Sequence, residues 1–194
     1  AGRVCYVFNR PQNKVSMIYT SVFPALITGN EKIFELARDG KARLISLINI
    51  SVAGTLLGLS NLVGTLQTES IPLSGSYGLL VPGLFILYGI CTIIGVLLGL
   101  CLVYWAGAKA FGGVGGFGFI LDLIGVSAVP FWLLAPLLNY FLQFEFSQAT
   151  RVLLVIAIAG SFIWSFILLR QSLIFGQGLS VGRATLALGA MWIF

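Results

Sequence analysis

The stretch LLVPGLFILYGICTIIGVLLGLCLVYWA, residues 79–106, carries no charged side chain. An α-helix rises about 1.5 Å per residue, so about 20 apolar residues cross the hydrocarbon core of a bilayer. This run exceeds that length and reads as a membrane span that tilts or projects. Working outward, Leu44–Leu66, Phe117–Leu142 and Val152–Phe175 are further spans, and Ala184–Phe194 opens a fifth that is expected to be truncated. The composition agrees: 58% of residues are hydrophobic and 9% charged, against roughly 25% charged in soluble domains. So few charges do not cover a soluble surface, and so much apolar surface does not stay disordered. The expected fold is all-α: a polytopic transmembrane bundle of five spans, residues 44–194, behind a cytoplasmic or interfacial headpiece, residues 1–43.

In the headpiece, Val15–Ile27 is apolar but too short to cross, and Pro24 interrupts it, so it is expected at the interface or against the bundle. Asn30 caps a short helix from Glu31, Ile33, Phe34 and Ala37 form its apolar stripe, and Asp39-Gly40 stops it. No cleavable signal peptide is expected, because Arg10-Pro11 interrupts the first apolar stretch. Seven of the eleven Lys and Arg lie in residues 1–43. With the N-terminus cytoplasmic, the five-span alternation leaves only Arg151 on the far side, a strong positive-inside bias. The net charge of +5 is therefore a topology signal and an anionic-lipid contact, not a nucleic-acid footprint.

Cys91 and Cys101 are roughly 15 Å apart along one helix, too far for a disulfide, and with Cys5 they form no framework. The chain has no His, which removes the commonest metal ligand, general base and pigment ligand. No catalytic residue, metal site or cofactor is predicted; bound lipid is, and a pigment has no His to support it. Gly113-Val114-Gly115-Gly116-Phe117-Gly118 fits G-x-G-x-x-G, but a membrane span precedes it where a dinucleotide fold needs a strand. It reads as a turn.

Two features are candidate sites. Gly54/Gly58 in span one and Gly95/Gly99 in span two are G-x-x-x-G pairs, flat grooves for close helix approach. Packing within the bundle is the favoured reading, with a homo-oligomer contact as the alternative. Asp122 is the acidic residue well inside an apolar stretch, so a partner or a function is expected. A structural ion pair with Arg170 or Arg183 is favoured, Arg170 first, because span four follows span three directly. Pro130 and Pro136 bend span three.

The C-terminal half carries an ordered set of motifs. Phe117-Gly118-Phe119 leads into span three, with Pro130 midway. Span four holds Ile163-Trp164 and Leu168-Leu169-Arg170-Gln171-Ser172-Leu173. Gly178-Leu179-Ser180-Val181-Gly182-Arg183-Ala184 follows. This order resembles the Ypt-interacting-protein (Yip) domain family of five-span membrane proteins in its prokaryotic form, and Thr28–Leu36 resembles that family's approach to span one. The resemblance covers roughly residues 28–194 and implies five spans and a cytoplasmic N-terminus. Eukaryotic members are associated with Rab-type GTPases and vesicle trafficking; this chain lacks their Asp-Leu-Tyr-Gly-Pro motif.

The expected function is therefore a non-catalytic scaffold, assembly factor or accessory subunit in a plasma or internal membrane such as the thylakoid. Its expected partners are lipids and other integral membrane proteins. The alternative is a small transporter or channel using Asp122 and bent span three. A dry bundle with Asp122 paired favours the first; a water-accessible cavity reaching Asp122 favours the second.

Overall fold

The computed structural model describes residues 15–68, 75 and 77–191. Cys5, Arg3, Arg10, Lys14, the charged turn around Glu69 and Pro72, and residues 192–194 of the expected fifth span lie outside the described residues. Every described element is a helix: α1 Val15–Thr28, α2 Glu31–Arg38, α3 Arg43–Thr68, α4 Tyr77–Ala110, α5 Phe117–Val126, α6 Phe131–Gln143, α7 Gln148–Gln171 and α8 Val181–Met191. A wider, π-type turn, Ser172–Gly176, extends α7.

The headpiece packs into the bundle. The Asn30 side chain accepts from the Lys32 N–H at 3.1 Å, and Ile33, Phe34 and Ala37 are buried. Gly40 ends the helix in the left-handed region at φ +69, with Lys41 N–H donating to Leu36 O and Gly40 N–H to Ala37 O. That pair of bonds satisfies the last carbonyls of α2. Its stripe joins Leu26, Ala42, Ile45, Leu123, Val126 and Val129 in one cluster. α1 also lies against the bundle: Phe23 stacks on Trp132, and Trp164 Nε1 donates to Ile27 O at 2.9 Å.

Helices α3, α4 and α7 with its extension are long and apolar enough to cross a membrane. α4 has 34 residues, about 51 Å, well beyond a hydrocarbon core of about 30 Å. The expected third span is two helices, α5 and α6, bent by 73°. Pro130 lacks an N–H and clashes with the preceding turn, so the α5 ladder cannot continue. The chain crosses the break in tight turns, Ala128 N–H to Gly125 O and Phe131 N–H to Ala128 O, and Pro130 then serves as the N-cap of α6. Among the described residues three helices are thus long and apolar enough to cross, or four spans if the bent pair is one, and the end of the expected fifth span lies outside the described residues. α8, with 11 described residues, is too short to cross alone.

Candidate functional site

A seam of polar side chains fixes how α5 and α6 lie on α3. Ser46 Oγ donates to Asp122 O at 2.9 Å, and Asn49 Nδ2 donates to Gly125 O at 3.3 Å. Trp132 Nε1 donates to Asn49 O at 3.1 Å. Farther along, Asn139 Nδ2 donates to Ser60 Oγ at 3.0 Å and Gln143 Nε2 to Asn61 Oδ1 at 3.1 Å. The two segments run in the same direction through these pairs. From Ser46 to Asn61 the axis of α3 advances about 22 Å. A re-entrant loop returns to its own side, whereas this pair keeps pace with α3; the contacts are those of one broken span. Such a break is tolerated in a membrane because neighbouring side chains satisfy backbone groups at the end of the helix, here Asn49 at Gly125 O.

Asp122 meets neither expected partner. Among the described residues the ion pair within 4 Å is Lys41–Asp39, at 3.1 Å. Asp122 instead faces the headpiece rim, where Arg43 is the charge that acts on it. Together with Arg38, Gly40, Gly118 and Phe119 these residues line a pocket of about 310 Å³. The reason is the break. α7 packs on α6, as sequence order suggests, but the 73° bend carries α5 away from it and onto α2 and α3. Arg170 remains on α7 with its Nε buried and without a hydrogen-bond partner. Arg183 is exposed over the α4–α5 turn, its Nη1 3.9 Å from where a Cβ on Gly112 would lie. Asp122 lines the pocket, and residues 123–130, which follow it, are all buried and do not line it.

The two glycine pairs separate. A Cβ on Gly54 would lie 2.5 Å from Ile90 Cα, and one on Gly58 would lie 2.8 Å from Ile86 Cα. Opposite them Gly89, which belongs to no G-x-x-x-G pair named above, has room for no Cβ either: it would lie 2.7 Å from Gly58 Cα. Gly95 and Gly99 are exposed, and a Cβ at either meets nothing within 4 Å. They do not pack within this bundle, because α4 turns Ile93, Leu97 and Cys101 inward instead.

At the headpiece end of the bundle, Tyr104 and Ser172 share a buried hydrogen bond of 2.6 Å. Gln177, 1% exposed, accepts from the Gly115 N–H at 2.9 Å. The glycine run is thus a turn braced by a glutamine, where a Cβ at Gly113 would come within 2.9 Å of Gln177 Oε1. Neither bond was legible in the sequence, since no spacing rule links positions 62 or 68 residues apart. The charge count marks Arg38 and Arg43 as a topology signal and a lipid contact; their convergence on Asp122 depends on how α2 folds back. Among the described residues no three His, Cys, Asp or Glu side chains cluster as metal ligands do.

Apolar helices of spanning length, joined by a polar seam that satisfies a broken span, define a polytopic α-helical membrane protein. A family model, the Yip1 domain, matches residues 21–194, and the chain belongs to the Yip1 domain family. No curated protein and no solved structure matches it.

Proposed function

We propose that this protein is non-catalytic and acts as a scaffold, assembly factor or accessory subunit through helix–helix contacts in the bilayer. The observation that carries this reading is the open glycine face of α4. The Gly54/Gly58 groove on α3 is filled by α4, whereas a Cβ at Gly95 or Gly99 meets nothing within 4 Å, and Gly99 borders an unfilled hollow of about 420 Å³ with Phe131, Ser165 and Leu188. Between helices in lipid, association rests on close packing, and small residues allow it. The occupant is another integral membrane protein or a second copy of this chain, with lipid elsewhere. The side chains of Ser46, Asn49, Ser60, Asn61 and Trp132 hold α3 to α5 and α6, which suits a framework.

In this reading the headpiece is cytoplasmic and α8 opens a fifth span. Lys109, Arg170 and Arg183 then share the headpiece side and Arg151 lies opposite, as the positive-inside rule requires. The membrane is the plasma membrane or an internal one.

Gly95→Ile and Gly99→Ile test the reading. Neither added side chain meets the rest of the described chain at its Cβ, so folding stability should change by less than about 0.5 kcal/mol. Co-migration with the partner or second copy in mild detergent should be lost. Retention of the same complex by both variants would contradict the assignment.

The second reading, a small transporter, draws on the 73° break beside Asp122. Broken helices do build transport sites. The buried residues 123–130 that follow Asp122 weigh against a path through the bundle.

A further inference from the structure

The rim pocket holds two guanidinium groups and one carboxylate that helix packing does not use. Arg38 is the last residue of α2, Arg43 the first of α3, and Asp122 lies in the second turn of α5. All three reach one hollow of about 310 Å³. The two arginines are exposed and Asp122 is half-buried, so the cations sit at the mouth and the anion farther in. Lys41 is held by Asp39 at 3.1 Å, which leaves Arg38 and Arg43 as the cations lining the hollow.

The hollow is kept open by glycine. A Cβ at Gly40 or Gly118 would meet nothing within 4 Å, and Gly40 also needs its positive φ of +69 to end α2. A side chain at position 118 would project into free space at the pocket wall. Because Arg43 begins a helix long enough to cross the membrane, the hollow lies at the depth of lipid head groups.

The geometry points to a binding site for a phospholipid that carries a primary ammonium beside its phosphate, the phosphatidylethanolamine type. Arg38 and Arg43 take the phosphate, and Asp122 takes the ammonium. Guanidinium groups donate charge-assisted hydrogen bonds to phosphate oxygens, and two of them bracket one phosphate. A carboxylate partly withdrawn from water requires a cation or donors. A primary ammonium supplies three N–H donors, as a lysine head does. The trimethylated ammonium of phosphatidylcholine supplies none. Phosphatidylglycerol satisfies the arginines but brings no cation to Asp122. This site does not depend on the scaffold reading, since it lies on α2, α3 and α5 and not on the open face of α4.

The test uses the full chain, stripped of lipid in mild detergent and offered one lipid at a time. Retention of phosphatidylethanolamine, phosphatidylcholine and phosphatidylglycerol is read by native mass spectrometry. Phosphatidylethanolamine should be held about tenfold more tightly than either of the others. Asp122→Asn should erase that preference, and Arg43→Gln should weaken all three lipids about tenfold. Gly118→Leu, which keeps every charge and fills the hollow, should reduce phosphatidylethanolamine retention without lowering thermal stability. Equal retention of phosphatidylethanolamine and phosphatidylcholine would overturn the site, as would a preference that survives Asp122→Asn. A preference for phosphatidylglycerol would overturn it in favour of a generic anion site. Displacement of the lipid by equimolar O-phosphoethanolamine would reassign the pocket to a soluble ligand.

Discussion

Gly58→Leu and Gly89→Leu should each cost about 3 kcal/mol or more in thermal stability, at or above the upper end of ordinary overpacking. At both positions the neighbour is main chain, not the end of a movable side chain. An added Cβ at Gly58 meets the carbonyl of Phe85, and one at Gly89 meets Gly54 O and the Gly58 N at 2.5 Å. Backbone cannot swing aside, so α3 and α4 must separate, and with them the contact on which the bundle is centred. Gly83→Leu, on the same helix with nothing within 4 Å, is the control and should be tolerated. Thermal unfolding of the three variants in one detergent checks this. Equal stability of all three would mean that α3 and α4 do not meet through their glycines.

Asn49→Leu should cost about 1–2 kcal/mol, the range for hydrogen bonds between membrane helices. Asn49 is fully buried, and its Nδ2 donates to Gly125 O, a carbonyl that the break at Pro130 leaves near the end of α5. Leucine keeps the volume and removes the donor. The loss should concentrate at the break, seen as faster amide hydrogen exchange at residues 127–129 than in α6. Unchanged exchange there would show that the break is stable without its side-chain bond.

How much of this was legible follows from what each signal depends on. The membrane class and the helical runs are properties of composition and length, so they could be read directly. The α2 helix was legible too, because Asn30, the Ile33/Phe34/Ala37 stripe and Gly40 are local signals. Pro130 marked the bend in span three, but not that the bend would turn Asp122 from α7 toward the headpiece. The rule that consecutive elements are neighbours held for α4 and α5 and for α6 and α7, but it did not bring Asp122 to α7, because a broken span has two sets of neighbours. The glycine pairs show a different limit. α4 is apolar on every side, so nothing in its pattern distinguishes the face that meets α3 from the face that meets none. Gly89, Gly95 and Gly99 look alike in sequence, and only the partner helix separates them.

The parallel run of α5–α6 along α3 is central, because it sets the number of crossings and places the rim pocket on the headpiece side. It predicts that the α4–α5 turn and the α6–α7 turn lie on opposite faces of the membrane. In a chain whose native cysteines are replaced by serine, Val114→Cys and Glu145→Cys place single thiols at exposed positions in these two turns. An impermeant thiol reagent added outside should label the thiol at 145 at once, and the one at 114 only after permeabilisation. Labelling of both from the same side would make α5–α6 a re-entrant loop and contradict the account.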